Sequence, residues 1–125
     1  MFARRLLIAC ALALLAGCKL ELPAIDAGTF EHHFMVGGRD QVATGSLSES
    51  QVKALVAWLQ LHPGGWNYRI EDTGPGLLVY LKQGGVPVLV VNIRAHEVKA
   101  RDLFRPITPG ERAALYAMLG PIPGQ

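Results

Sequence analysis

The feature that most constrains the fold is a pair of apolar segments separated by two glycines. Residues 77–82 (LLVYLK) and 86–93 (VPVLVVNI) are rich in β-branched, leucine and aromatic side chains and flank Gln83-Gly84-Gly85. A two-residue Gly-Gly loop between such segments predicts a β-hairpin. The register that this loop implies places four pairs of side chains opposite each other: Leu81 with Val88, Val79 with Val90, Tyr80 with Leu89, and Leu78 with Val91.

Both faces of this hairpin are apolar, whereas an antiparallel strand with one face in water alternates apolar and polar side chains. Burial on one side therefore does not satisfy it. Either two helices cover opposite faces of the sheet, or one face is left for a partner or for a second copy of the chain. Closure of the core favours the covered faces.

Three further segments have the alternation of β-strands. Residues 29–36 predict a strand, because Phe30, His32, Phe34 and Val36 fall on one face. A Gly37-Gly38 turn follows, and residues 41–45 predict a short returning strand. Residues 66–71 (WNYRIE) alternate cleanly and predict a strand with one face in water.

The first helix is predicted from the cap and the stripe that follows it. Ser48 and Gln51 form a Ser-x-x-Gln capping box, and Leu47 with Val52 forms a hydrophobic staple. The apolar residues Val52, Leu55, Val56 and Leu59 then recur at helical spacing. Trp58 lies at the flank of this stripe, where it either covers the edge of the core or is partly exposed.

A second helix is predicted near the C-terminal end. Thr108 has the side chain of an N-cap, Pro109 suits the first helical position, and Glu111 suits the third. The charged segment 94–105 before it predicts irregular structure or a continuing edge of the sheet. The resulting order is β-β-α-β-β-β-α, which indicates a small two-layer α+β domain with an antiparallel sheet and two amphipathic helices.

The N-terminal residues predict export. Met1-Phe2-Ala3-Arg4-Arg5 is a short basic head, and residues 6–17 contain no charge. This uncharged run is well short of the ~20 residues that a membrane-spanning helix needs. Residues 1–17 therefore predict a secretory signal peptide and not a membrane-spanning segment.

Leu15-Ala16-Gly17-Cys18 resembles the lipobox of bacterial lipoproteins. The resemblance implies cleavage by signal peptidase II between Gly17 and Cys18, and a covalent lipid such as palmitate on Cys18. Lys19 follows where aspartate retains enterobacterial lipoproteins in the inner membrane, so we expect the outer membrane, facing the periplasm. The predicted organisation is a signal peptide (1–17), a lipidated cysteine and tether (18–28), one α+β domain (29–121) and a tail (122–125).

Cysteine content and charge exclude several functions. Cys10 would leave with the signal peptide and Cys18 would become a thioether, so no thiol remains for a disulfide, a metal site or a nucleophile. The chain has 12 Lys and Arg against 10 Asp and Glu, and Arg4 with Arg5 accounts for the difference. The remaining chain is electrically balanced and predicts no nucleic-acid partner.

Known catalytic motifs are not completed in this sequence. His96-Glu97 begins a zinc-protease pattern, but position 100 is alanine instead of the second histidine. A metal site formed by His32, His62 and His96 is one alternative. We favour the other, in which these are ordinary surface histidines. We therefore interpret the chain as non-catalytic, with no catalytic residue, no metal and no cofactor apart from the lipid on Cys18.

The candidate residues for partner binding are mostly basic: Arg94, His96, Lys99, Arg101 and Arg105, with the aromatic Trp58 as a further candidate. The alternative is an ordinary solvated loop. Three functions follow from this reading. The first is a membrane-tethered protein-binding module, either an inhibitor or an immunity protein against an envelope-acting enzyme. The second is an accessory subunit of an envelope assembly. The third is a self-associating structural or small-ligand lipoprotein.

Overall fold

The computed structural model describes residues 19–71 and 74–125, so the predicted signal peptide and Cys18 lie outside the described residues. The elements in order are β1 (Ala27–Val36), β2 (Arg39–Ser46), α1 (Glu49–Leu61), β3 (Asn67–Tyr68), β4 (Leu77–Gln83), β5 (Val86–Ile93), β6 (Glu97–Ala100), β7 (Leu103–Pro106) and α2 (Pro109–Leu119). The strands of this described part form one antiparallel sheet in the order β2-β1-β4-β5-β6-β7-β3. The α+β class is confirmed, but the order of elements has two more strands than predicted.

The two additional strands lie in the segment that was expected to be irregular or a continuing edge of the sheet. β6 and β7 form a hairpin whose turn contains Arg101 at φ 57°. Val98 and Ala100 are fully buried, and they are the apolar residues of a strand that also carries Glu97 and Lys99. Four residues with two charges give a weak local signal, so the pairing of β6 with β5 decides the conformation. Of the two alternatives for this segment, irregular structure is wrong, because the segment continues the sheet as β6 and β7.

The central hairpin has the predicted two-glycine loop but a different register. Lys82 pairs with Pro87, whereas Leu81 pairs with Leu89 and not with the predicted Val88. Val88 therefore forms a β-bulge, beside a proline that cannot donate to the ladder and is tolerated at such positions. The corrected pairs beyond the bulge are Tyr80 with Val90, Val79 with Val91, Leu78 with Asn92, and Leu77 with Ile93.

Both helices pack on the same face of the sheet, which we call the helix face. The buried side chains of α1 and α2 share one core cluster with the sheet residues Leu77, Val79, Leu81, Leu89, Val91, Ile93, Val98 and Ala100. The two helices also contact each other, so they form a single layer. The expectation that they cover opposite faces is wrong. We call the other side of the sheet the open face.

The helix caps are as predicted. Ser48 Oγ accepts the Gln51 backbone N–H at 3.2 Å, and Gln51 Oε1 accepts the Ser48 N–H at 2.7 Å. In α2, Thr108 Oγ1 accepts from the Glu111 N–H at 3.1 Å, and Glu111 Oε1 accepts from the Thr108 N–H at 3.0 Å. At the start of each helix, the side chains of the N-cap residue and of the third helical residue therefore accept hydrogen bonds from two otherwise free N–H groups. Neither helix has the length and apolar character needed to cross a membrane, and the described residues contain no other helix.

The segment at residues 66–71 contributes only a short edge strand. Trp66 is fully buried, and its indole N–H donates to the His62 carbonyl oxygen at 2.8 Å. Only Asn67 and Tyr68 pair with β7, and Tyr68 and Ile70 are 59% and 87% exposed. The predicted apolar face is therefore wrong beyond Trp66. The chain leaves the edge of the sheet after two paired residues, so the later alternation has no core to face.

The segments next to the predicted domain boundaries pack onto the domain. Leu20 is 7% exposed and belongs to the core cluster, and Leu22 and Ile25 pack against that cluster. At the other end, Ile122 is 4% exposed and is also a core residue. These apolar side chains bury surface on the helix face, so parts of the segments predicted as tether and tail pack against the domain.

Candidate functional site

The open face carries a row of side chains that the strand register places side by side. The row runs across the sheet in the order Glu31, Leu78, Asn92, Lys99 and Phe104. Side chains directly opposite each other on paired strands share a face, so the row lies on one surface. This row therefore has a carboxylate at β1 and an ammonium at β6, with the apolar Leu78 and the amide Asn92 between them.

A concavity of about 460 Å³ lies at the centre of the open face. The bulge at Val88 forms one side, Leu78 and Val90 line it, and Lys99 and Arg101 stand at its basic end. Val90 remains 39% exposed although it is in the middle of the sheet. Apolar side chains flanked by cations on an uncovered surface are typical of a binding site for an acidic partner.

Phe104 is buried on the open face, outside the core cluster of the helix face. It is 1% exposed because the Arg69 guanidinium lies 4.0 Å from its ring centroid and the Lys99 ammonium lies 5.4 Å from it. Arg69 also forms ion pairs with Glu97 at 2.7 Å and Glu71 at 3.0 Å. These contacts cover the aromatic ring with charged side chains instead of a third layer.

The ion pairs divide the cations of the open face into two kinds. Arg94 pairs with Glu97 at 2.8 Å. Arg69 pairs with the same residue, so the charges of both arginines are engaged within the domain. Within residues 19–71 and 74–125, Lys99 and Arg101 form no ion pair. Of the cations that border the concavity, Lys99 and Arg101 therefore keep charges that no carboxylate of the described residues neutralises.

The acidic end of the row is held by hydrogen bonds. Glu31 accepts from Tyr80 Oη at 3.1 Å, and its other oxygen lies 2.9 Å from His33 Nε2. Burial raises the pKa of Tyr80 above its ordinary value, and the hydrogen bond to Glu31 and the charge of that carboxylate raise it further. The phenol therefore stays protonated and acts as a fixed hydrogen-bond donor, which suits recognition better than acid–base chemistry.

Asn92 is the buried polar residue of the row, at 6% exposure. Its side-chain oxygen accepts from the Gly76 N–H at 3.0 Å, and its amide donates to the Gly74 carbonyl oxygen at 3.2 Å. A side chain at position 76 would lie 2.5 Å from the Ile93 carbonyl oxygen. Asn92 thus fixes the loop before β4 against the sheet and rigidifies one wall of the open face.

The structure separates the residues that the sequence grouped as a binding site. Arg94, Lys99 and Arg101 lie at the basic end of the open face, and His96 is exposed in the loop before β6. Arg105 pairs with the buried Val98 and so lies on the helix face, away from the other cations.

Trp58 is not a surface anchor. It is 8% exposed, belongs to the core cluster and stacks on His62 with 4.2 Å between ring centroids. His62 Nδ1 also lies 2.7 Å from the Trp58 carbonyl oxygen. The flank position on the helix is buried because the chain folds back at the end of α1 and covers it.

The histidines do not gather into a metal site. His32 is buried on the helix face, where Nδ1 donates to the Pro123 carbonyl oxygen at 2.7 Å and Tyr116 Oη lies 3.4 Å from Nε2. His62 is engaged with Trp58, and His96 is in a separate loop. Across the described part of the chain, no three His, Cys, Asp or Glu side chains are grouped so as to hold a metal ion.

Two features of the open face were missed by sequence reasoning. Pro87 inside an otherwise regular strand was a signal for the bulge that shapes the concavity. The covering of Phe104 by Arg69 had no local signal, because the two residues are on different strands and far apart in the sequence.

Comparisons with known proteins provide no relative from which the fold or the site could be interpreted. No protein-family model matches the chain. Searches of curated proteins and of solved structures find no significant match either.

Proposed function

We propose that the chain is a lipid-anchored, non-catalytic protein-binding module of the bacterial cell envelope that holds its partner on the open face. The observation that carries the proposal is the uncovered side of the sheet, with a concavity of about 460 Å³ between apolar strands and the cations Lys99 and Arg101. The anchor is the lipid on Cys18, and Lys19 after it favours the outer membrane, facing the periplasm.

The packing of the domain supports a binding role for this face. A sheet in a two-layer domain buries one face against its helices, and its other face is normally polar. Here Leu78, Val88 and Val90 keep apolar surface on the open face, and they surround a depression instead of a flat sheet. Burial of this apolar patch against a partner removes it from water and therefore contributes favourable free energy to binding.

The charges support a partner with exposed carboxylates. Lys99 and Arg101 flank the concavity, while Arg69 and Arg94 keep their neighbours' carboxylates occupied. An acidic loop seated in the concavity would place its apolar side chain on Val90 and its carboxylate on Arg101. Such pairs add association rate and specificity to an apolar contact.

Within this role, an inhibitor or immunity protein against an envelope-acting enzyme is the leading proposal. A domain held close to the membrane, whose binding face combines apolar side chains with the cations Lys99 and Arg101, suits blocking an enzyme better than transforming a substrate. An accessory subunit of an envelope assembly would use the same face toward a resident protein. Self-association would use it toward a second copy of the chain.

The test uses the full lipoprotein, extracted in mild detergent, and matched pairs of variants. Arg101→Glu reverses a cation at the concavity, and Arg39→Glu makes the same change at an exposed position of β2. Val90→Thr removes apolar surface at constant shape. Val42→Thr is its control on the same side of the sheet but outside the concavity, at a position that is 52% exposed. We expect the partner captured by the wild type to bind the two control variants equally and the two concavity variants at least about tenfold more weakly, a factor that one lost charge-assisted contact supplies.

The identity of the captured protein separates the three roles. A single secreted or periplasmic hydrolase indicates an inhibitor or immunity protein, and a set of resident envelope proteins indicates an assembly subunit. A dimer by light scattering that Arg101→Glu disrupts indicates self-association. Equal binding by all four variants would refute the concavity as the site. Fatty-acid labelling that persists in Cys18→Ala would refute the anchor.

A further inference from the structure

The first described residues join the core at once. Leu20 is 7% exposed within the core cluster, and its N–H donates to the Pro63 carbonyl oxygen at 3.4 Å. Asp26 N–H donates to the Lys82 carbonyl oxygen at 2.9 Å, so the segment is tied to the sheet before β1 begins. The fold therefore holds the chain from residue 20 onward and not from residue 29.

This packing limits how far the domain can stand from a lipid on Cys18. The Cα atoms of Cys18 and Leu20 are two residues apart and so lie within about 7 Å of each other. A free tether of residues 18–28 would have reached about 35 Å. A lipid on Cys18 would therefore be attached within about 7 Å of Leu20, whose N–H contacts Pro63 just after the C-terminal end of α1.

We propose that the acylated protein docks directly on a phospholipid bilayer through the surface formed by Lys19, Leu61 and Pro63, with the open face outside the contact. The proposal rests on the lipid anchor of the proposed function. Its occupant is the bilayer, because acyl chains attached one residue before Lys19 can enter no other phase at that distance.

The chemistry of this surface fits an interface between headgroups and acyl chains. Leu61 is the last residue of α1 and is 78% exposed, far more than the other leucines of that helix. Pro63 is exposed as well, and Lys19 is exposed next to the attachment point. A leucine that inserts beside the acyl chains and a lysine among anionic phosphates give the anchor further contacts that act at the same place.

The position of Leu20 determines the orientation. Leu20 belongs to the core cluster between the sheet and the helices, so the chain reaches Cys18 from the helix layer. Val90 and Arg101 project from the opposite side of the sheet. A domain docked by the end of α1 therefore keeps the open face out of the contact with the bilayer, so a soluble partner can reach that face.

The experiment uses the acylated full-length lipoprotein in vesicles of phosphatidylethanolamine and phosphatidylglycerol. Cys10 leaves with the signal peptide and Cys18 is blocked by lipid, so an introduced cysteine is the sole thiol for an environment-sensitive fluorophore. Leu61→Cys probes the proposed contact. Ser50→Cys, exposed at the other end of α1, and Arg101→Cys, on the open face, are its matched controls.

We expect a blue-shifted emission and protection from aqueous iodide at position 61, and neither at positions 50 and 101. A flexible ten-residue Gly-Ser insertion between Lys19 and Leu20 should abolish the shift at position 61, because it frees the domain from the anchor. Equal signals at all three positions, or a shift that survives the insertion unchanged, overturn the docking. A shift at position 101 alone overturns the orientation.

The mass of the purified protein separates this inference from the proposal on which it rests. An acylated protein without a shift at position 61 refutes the docking and leaves the anchor intact. A protein without fatty acid refutes the anchor and the docking together.

Discussion

The burial of the Phe104 ring tests how this domain covers an aromatic side chain on the open face without a third layer of structure. Arg69→Ala removes the guanidinium that lies 4.0 Å from the Phe104 ring centroid, together with the ion pairs to Glu97 and Glu71. A cation–π contact of this kind contributes about 0.5–1 kcal/mol, and each partly exposed ion pair about 0.2–1 kcal/mol. The substitution should therefore lower the free energy of unfolding by about 1–3 kcal/mol.

The assay is urea unfolding of the unacylated chain from residue 19 onward, followed by the fluorescence of Trp58 and Trp66, both buried. A double-mutant cycle with Phe104→Leu isolates the contact between the two side chains from the ion pairs. We expect a coupling free energy of about 0.5–1 kcal/mol, the value of the cation–π contact alone.

Lys53→Ala is the matched control for the loss of a cation. Lys53 pairs with Glu49 at 2.9 Å on the exposed side of α1, and its side chain is 75% exposed. The control should cost no more than about 0.5 kcal/mol. The reasoning would be refuted if the coupling between positions 69 and 104 lay within about 0.3 kcal/mol of zero, the limit below which distant sites are additive.

Three further predictions concern the core, the loop before β4 and the second helix. Leu55→Ala, at a fully buried position of α1, should lower the free energy of unfolding by about 2–5 kcal/mol in the same urea assay. A Gly-to-Ala change stabilises a protein by about 0.4–1 kcal/mol where the backbone and the space allow it. Gly76→Ala should instead destabilise by more than that amount, because the new Cβ would lie 2.5 Å from the Ile93 carbonyl oxygen; unchanged stability would contradict that contact. The hydrogen bond from the Thr108 N–H holds the pKa of Glu111 below its ordinary value. The stability that this carboxylate contributes is therefore present above the pKa of the unfolded chain and is lost as the pH falls through the lower, folded value. Glu111→Gln should lose that acid dependence and keep the capping box, so the wild type and the variant should converge in stability at low pH.

The elements that sequence reasoning placed well are those whose signals are local. Each capping box, at Ser48 and at Thr108, is formed by residues that lie within four positions of each other. The same is true of the glycine loop at positions 84 and 85. Each glycine of that loop has a positive φ, 60° and 80°, which glycine adopts without a steric penalty. The acylation of Cys18 stays a prediction, because it rests on residues outside the described part of the chain.

The features of the candidate site required the tertiary structure. The bulge at Val88 brings one apolar face of β5 into line with β4, and this choice depends on what the helices cover. Phe104 is buried by Arg69, a residue of another part of the chain. Neither the bulge nor the contact between Phe104 and Arg69 follows from a fixed spacing in the sequence. Composition and periodicity therefore identify these side chains but not the residues that they contact.

The sequence by itself determined the helices with their caps, the central hairpin and the α+β class, because hydrogen bonds and turn conformations between near neighbours specify them. The tertiary structure alone decided that both helices lie on one face, that residues 20–25 complete the core, and that Lys99 and Arg101 border an uncovered concavity. These outcomes depend on contacts between residues distant in the chain. In such contacts the apolar area that is buried, and not the pattern along the strand, selects the arrangement.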